Sequence, residues 1–187
     1  MSIVDEVRIL AISGSLRTGS YNTALVRAAQ KLNPGGMSIE LYDGLGNLPL
    51  YNADLDTEEP PEAVADLRRR IQEADGLLIC TPEHNYSIPA ALKNAMDWAS
   101  TPMPNWALLG KPIAIAGASP TAMGTVRAQL ALRQVFLWTD CDVVVKPEVA
   151  VFRSFERFDA EGNLTDETTA GLLRDLLVAL ANKIRTR

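Results

Sequence analysis

The sequence predicts an α/β protein in which helices cover both faces of a parallel sheet. Short apolar runs alternate with longer helical patterns along the chain, which is typical of parallel strands buried on both faces. Polar loops follow the first, third and fourth of these runs. The chain has 187 residues, 47% of them hydrophobic, so it can bury one good core, and we expect a single domain over residues 1–187. Right-handed crossovers between five β-α units then favour a doubly wound three-layer α/β/α sandwich.

The apolar periodicity places five strands and five helices. The strands are predicted at about 7–12, 38–42, 76–81, 112–118 and 142–146, each rich in Val, Ile, Leu or Ala. The helices are predicted at about 22–32, 61–74, 90–100, 122–139 and 166–184. Such sheets bind ligands at the carboxyl ends of their strands, near the point where the strand order reverses. The loops after strands one, three and four should therefore meet.

Charge and composition narrow the class of protein. The net charge of -5 argues against nucleic acid as the main partner. No apolar stretch approaches the roughly 20 residues of a membrane span, and the acidic Asp5 and Glu6 do not fit a signal peptide, so a cytoplasmic location is expected. Cys80 and Cys141 lie in apolar runs and are expected to be buried thiols without a disulfide. No His/Cys/Asp cluster has metal-ligand spacing, so no metal is expected.

The first loop, residues 14–23, has the composition of a phosphate cradle at a helix N-terminus. Ser20 stands where a nucleotide-hydrolysing P-loop needs a lysine, and Leu16 stands where a dinucleotide fingerprint needs its second glycine. The loop also lacks the cysteine of a phosphatase loop. A loop that holds one phosphate without cleaving it remains, beside the plainer alternative of a capped helix. Its candidate donors are short polar side chains and one guanidinium: Ser13, Ser15, Arg17, Ser20, Asn22 and Thr23.

The second and third loops suggest what the phosphate belongs to. Residues 81–89, Thr-Pro-Glu-His-Asn-Tyr-Ser-Ile-Pro, form a polar and aromatic loop that is stiffened by two prolines. Residues 118–124 contain small side chains that allow a ligand to approach the backbone. A planar heterocycle with a phosphate tail would suit the three loops together, although each loop alone could be an ordinary polar turn. We therefore favour a mononucleotide site.

At these loops the chain resembles the NADPH-dependent FMN reductase family, a flavodoxin-like group that includes quinone and chromate reductases. Residues 14–17 with 20–22, and residues 81–89 with 92–98, carry the resemblance, which extends over nearly the whole chain. It implies a five-stranded parallel sheet of order 2-1-3-4-5 and a noncovalent FMN. It also implies ping-pong hydride transfer from NADPH or NADH to FMN and then to quinones, chromate, azo compounds or free flavin. A flavodoxin-type electron carrier without direct NAD(P)H oxidation is the alternative, and Arg17 argues against it.

The resemblance also assigns site residues by position. The implied phosphate ligands are Ser15, Arg17, Ser20, Asn22 and Thr23, and Tyr21 is a further implied cofactor-binding residue. The ribityl chain and flavin ring are expected to lie against Pro82, Glu83, His84, Asn85, Tyr86, Ser87, Ser119 and Gly124. His84 departs from the tyrosine that the family usually has, and we expect it to pack beside the flavin. Glu83 could contact the ribityl hydroxyls or support the loop, and no residue is expected to act as a nucleophile or obligatory acid.

A small-molecule acceptor and a homodimer or homotetramer are the expected partners. The oligomer is suggested by apolar residues after the third helix and along the fourth, more than solvated segments need. Those after the third helix are Trp98, Met103, Pro104, Trp106, Leu108 and Leu109.

Overall fold

A parallel sheet forms the middle layer of the computed structural model, which describes residues 6–187. Its strands are β1 (Val7–Ser13), β2 (Met37–Leu41), β3 (Gly76–Cys80), β4 (Pro112–Ala118), β5 (Asp142–Val143) and β6 (Val149–Val151). The order is β2-β1-β3-β4-β5, and β6 also pairs with β4. All pairings between these strands are parallel. Both the predicted strand order and the predicted parallel direction are confirmed.

Within residues 6–187, five helices cover the two faces of the sheet. They are α1 (Tyr21–Leu32), α2 (Glu62–Glu73), α3 (Ala90–Ala99), α4 (Val126–Trp138) and α5 (Glu167–Arg185). The alternation of side chains along each strand divides the core: Ile9 and Ala11 face α1 and α5, whereas Leu10 and Ile12 face α2, α3 and α4. The predicted three-layer flavodoxin-like sandwich is therefore present. No helix of residues 6–187 is long and apolar enough to cross a membrane.

The predicted fifth strand, residues 142–146, was wrong in its extent. Pairing with β4 stops after Val143 and resumes at Val149. Over this interval β4 advances by three residues, whereas the segment that pairs with it advances by six. The intervening Val145 is exposed, and Pro147 has no N–H to donate to a ladder. The predicted fifth strand is therefore interrupted between Val143 and Val149, and β6 pairs with the carboxyl end of β4.

The fourth helix begins later than the predicted residue 122. Gly124 adopts a left-handed φ of 57°, and the helix starts at Val126. A Cβ on Gly124 would lie 3.3 Å from the backbone of Ala150 in β6, so this turn packs closely on the sheet. Both thiols are free; Cys80 is buried as predicted, whereas Cys141 is only half-buried.

Candidate functional site

The first loop leaves the sheet between β1 and α1 and ends in a capped helix. The N–H of Gly14 donates to the carbonyl of Cys80 at 2.8 Å, and the N–H of Ser20 closes a turn onto the carbonyl of Arg17 at 3.1 Å. Ser20 is the N-cap of α1, because its Oγ accepts hydrogen bonds from the N–H groups of Asn22 and Thr23 at 3.1 and 3.4 Å. The side chain of Ser20 is thus already used within the protein.

Five backbone N–H groups of the first loop have no hydrogen-bond partner among residues 6–187. Within residues 6–187, no hydrogen bond uses the N–H groups of Ser15, Leu16, Thr18, Gly19 or Tyr21. They surround the N-terminus of α1, where the helix dipole is positive. Arg17 is exposed beside them, and no carboxylate of the described residues pairs with it. This group of donors can bind an anion.

The second loop contains a tight hairpin turn at residues 84–87. The N–H of His84 donates to the carbonyl of Ser87 at 3.1 Å, and the N–H of Ser87 donates back at 2.9 Å. Asn85 and Tyr86 have positive φ angles of 48° and 68°, the geometry of a type I′ turn. Tyrosine is rare in that conformation, and Tyr86 as a whole is 73% exposed.

Glu83 joins the second loop to the fourth helix. Its carboxylate, 6% exposed, accepts hydrogen bonds from the N–H groups of Arg127 and Ala128 at 3.1 and 3.4 Å, and it forms an ion pair with the Arg127 guanidinium. Arg127 Nε lies 2.6 Å from Glu83 Oε1, and this hydrogen bond raises the pKa of the guanidinium. The guanidinium also stacks 3.5 Å from the ring centre of Tyr86. Glu83 therefore caps α4 from outside the helix.

The third loop is held in place by the chain that follows β6. The N–H of Ser119 donates to Val151 at 2.9 Å, and its carbonyl accepts from the N–H of Ser154 at 3.1 Å. Ser119 Oγ accepts from the N–H of Thr121 at 3.2 Å, within a compact polar turn. At the start of this loop, Asn22 pairs with both backbone polar groups of Ala118.

The three loops enclose one crevice at the carboxyl edge of the sheet, with a volume of about 790 Å³. The predicted site residues that line it are Ser15, Arg17, Ser20, Tyr21, Asn22, Pro82, Glu83, His84 and Ser119. Further lining residues, which the sequence did not single out as ligands, are Gly14, Leu16, Pro89, Ala90, Ala91, Ala118, Pro120 and Thr121. Most of these are apolar or small, as the walls of a site for a planar ligand usually are.

Five predicted site residues lie outside the lining of the crevice. Thr23 donates from its Oγ1 to Ser13 Oγ at 2.9 Å, beneath the first loop. Asn85, Tyr86 and Ser87 form the exposed part of the hairpin turn. Gly124 packs on β6 beyond the third loop. The geometry gives these residues supporting positions, while their predicted contact with a cofactor stays a prediction.

No cysteine lines the crevice, and no metal-ligating cluster lies among the described residues. The thiol nearest to it, Cys80, is fully buried at the end of β3, and burial raises its pKa, so it stays protonated and unreactive. No cluster of three or more metal-ligating side chains occurs within residues 6–187. The arrangement is suited to holding a ligand that carries its own chemistry.

The crevice lies where the strand order of the 2-1-3-4-5 sheet reverses, and it is lined by an anion-binding loop and two further polar loops. These features define a mononucleotide-binding protein of the flavodoxin-like class. The sequence model for NADPH-dependent FMN reductases matches residues 7–156. The chain therefore belongs to the NADPH-dependent FMN reductase family, and the predicted flavin-dependent, NAD(P)H-oxidising class of enzyme is confirmed at the level of this family.

Individual relatives agree with that assignment. An NAD(P)H-dependent FMN reductase of Pseudomonas aeruginosa is 47% identical over 181 residues, which cover 97% of each chain. A 2-hydroxy-1,4-benzoquinone reductase of a Burkholderia species is 41% identical over 181 residues, covering 97% of this chain and 98% of the relative. Among solved structures, the flavoenzyme NAD(P)H:acceptor oxidoreductase FerB of Paracoccus denitrificans superposes with a TM-score of 0.87 at 36% identity, covering 96% of this chain and 98% of that one.

Proposed function

We propose that the crevice binds one FMN and that the protein uses it to transfer reducing equivalents from NAD(P)H to small quinone-type acceptors. The observation that carries this proposal is the set of N–H groups beside Arg17 that have no partner among residues 6–187 and that open into a crevice of about 790 Å³. That volume falls within the range of about 300–1,000 Å³ typical of small-molecule sites. The donors fit a phosphate dianion, and the apolar walls fit a flat ring.

The residues divide into two groups along the crevice. Ser15, Arg17 and the free N–H groups of residues 15–21 would hold the phosphate, because they provide the charge and the donors. Pro82, His84 and Ser119 would lie along the ribityl chain and ring, on the opposite walls. When bound, FMN supplies the hydride acceptance and the later electron delivery. The protein's own part is to bind, to orient and to leave one face open to the donor and then to the acceptor.

Titration of the flavin-free protein with FMN and with riboflavin tests whether the first loop holds the phosphate. FMN and riboflavin differ only in the phosphate, so Arg17→Ala should weaken FMN binding about tenfold or more and leave riboflavin binding unchanged. Lys31→Ala, on the far end of α1, is the matched control and should leave both affinities unchanged. Equal affinities of the wild-type protein for FMN and riboflavin would contradict a phosphate site in the first loop.

Steady-state kinetics test the reaction. Because donor and acceptor would use the same open face in turn, double-reciprocal plots at several quinone concentrations should be parallel. An electron carrier would instead show no NAD(P)H oxidation unless a reductase protein were added.

We further propose that the chain forms a homo-oligomer through α4. The residues at the end of this helix, Leu137 and Trp138, are 82% and 81% exposed, which is unusual for large apolar side chains. By contrast, Trp98 and Leu108 are fully buried and support only the core, so they do not contribute to this proposal. Light scattering after size exclusion should show a dimer or tetramer for the wild type and a monomer for the Leu137→Glu/Trp138→Glu variant. A monomeric wild type would refute the proposal.

A further inference from the structure

The carboxyl end of β4 extends beyond its neighbour β3. The last hydrogen bond between them runs from the N–H of Thr81 to the carbonyl of Ala116 at 2.9 Å, and the second loop then turns away. Peptide groups alternate in direction along a strand, and Ser119 bonds Val151 on the β6 side, so the N–H and carbonyl of Ala118 point toward the side that β3 has left. Two buried backbone groups there would have no partner without another residue.

Asn22 occupies that place. Its Nδ2 donates to the Ala118 carbonyl at 2.9 Å, and its Oδ1 accepts from the Ala118 N–H at 2.9 Å. Asn22 is only 3% exposed, and its own N–H already donates to Ser20 Oγ. A carboxamide has the donor and acceptor of a peptide group, so this side chain replaces the residue that β3 does not supply.

We propose that Asn22 is a positioning residue that fixes the third loop to the first, and not a ligand of the phosphate. Asn22 lies in the first turn of α1, directly after the anion cradle, while Ala118 begins the third loop. The pair of hydrogen bonds therefore sets the width of the crevice between the phosphate end and the ring end of the ligand. The link to flavin binding rests on the proposed function, whereas the link between Asn22 and Ala118 does not.

The hydrogen-bond partners of Asn22 distinguish a positioning residue from a phosphate ligand. A phosphate ligand would direct its donors into the crevice, whereas Asn22 is only 3% exposed and uses Oδ1 and one N–H of Nδ2 on Ala118. Removing the carboxamide leaves two buried backbone groups unsatisfied, which is costly because neither can reach water without movement of the third loop. The loop would then be displaced at the ring side of the crevice, at a distance from the phosphate.

Amide exchange in the flavin-free protein tests the positioning role directly. In Asn22→Leu, the Ala118 amide should exchange about tenfold faster or more, while the amides of Ile79 and Ala114 inside the β3–β4 ladder stay protected. Asn22→Ser, with a smaller change of volume, is the second variant and should give the same result if the leucine variant folds poorly. An unchanged Ala118 amide in a folded variant would overturn the proposal.

Flavin binding supplies the second readout. Because the third loop is displaced at the ring side of the crevice, affinities for FMN and riboflavin should both fall by a similar factor of about 10 to 100. The visible spectrum of the saturated flavin should also shift. Arg17→Ala is the comparison for a phosphate contact, with a loss for FMN alone and an unchanged spectrum. A loss for FMN alone in Asn22→Leu would overturn the positioning role. A wild-type protein that binds neither flavin would overturn the proposed function, and the exchange of the Ala118 amide would still report on the link itself.

Discussion

Replacing Glu83 by glutamine should destabilise the protein, although the two side chains have nearly the same shape. The carboxylate accepts from two N–H groups in the first turn of α4 and from Arg127, whereas glutamine would direct an NH₂ group toward some of these donors. A lost cap costs about 1 kcal/mol, and a lost negative charge at a helix N-terminus costs about 0.3–1 kcal/mol more. Side-chain reorientation in a site that is 6% exposed adds to this. We expect the free energy of unfolding to fall by about 2 kcal/mol.

Urea unfolding of the flavin-free protein measures this change, followed by tryptophan fluorescence and circular dichroism. For a chain of 187 residues, about 2 kcal/mol corresponds to a fall in Tm of about 4–8 °C. Glu58→Gln is the matched control, since Glu58 is exposed and should change stability by less than about 0.5 kcal/mol. If Glu83→Gln were no more destabilising than Glu58→Gln, the assignment of Glu83 as the cap of α4 would be refuted.

Three further predictions concern pH, packing and His84. The hydrogen bond from Thr169, together with Arg157, lowers the pKa of Asp166 at the start of α5. The ionised Asp166 therefore stabilises the folded protein above about pH 3.9, its ordinary pKa, and this stabilisation is lost as the pH falls through the lower pKa of the folded state. The stability difference between wild type and Asp166→Asn in urea unfolding should therefore be constant near neutral pH and shrink below about pH 4; a constant difference down to pH 2 would contradict it. A Cβ on Gly117 would lie 2.0 Å from Thr125 Oγ1, so Gly117→Ala should cost about 3 kcal/mol or more in thermal unfolding. In α5, a Cβ on Gly171 would have no atom within 4 Å, so Gly171→Ala should stabilise the protein by about 0.5–1 kcal/mol. Similar effects of the two glycine substitutions on stability would contradict this packing. His84→Tyr should leave turnover and its pH profile unchanged, whereas a proton-transfer role would cost about 100-fold and remove the acid limb.

Much of the fold could be predicted from the sequence because its signals are local. Apolar runs placed β1 to β4, and the positions of the helices followed from their periodicity to within a few residues. The interrupted fifth strand was not predicted, because residues 142–146 are rich in valine and only the sheet register shows that Pro147 and its neighbours leave it. The start of α4 was misplaced for a related reason, since the left-handed conformation of Gly124 overrides the helical preference of the residues before it.

The site was predicted as a set of loops but not as a set of contacts. The phosphate loop, the hairpin and the third loop meet where the strand order reverses, as the sequence indicated. For Glu83 the sequence left a ribityl contact and support of the loop both open, and for Asn22 it indicated only a phosphate contact; the hydrogen-bond partners of the two side chains lie 44 and 96 positions away along the chain. The sequence of the loop does not identify a partner that is so distant along the chain. A polar residue that contacts the ligand and one that only supports the loop can be of the same type and occupy the same position.

The most direct test of the central claim is anaerobic mixing of the FMN-loaded protein with NADPH, and separately with NADH, while the absorbance of the oxidised flavin is followed. We predict rapid bleaching by at least one donor without any added protein, and the faster of the two identifies the preferred donor. Absence of bleaching with FMN demonstrably bound would contradict an NAD(P)H-oxidising flavin reductase.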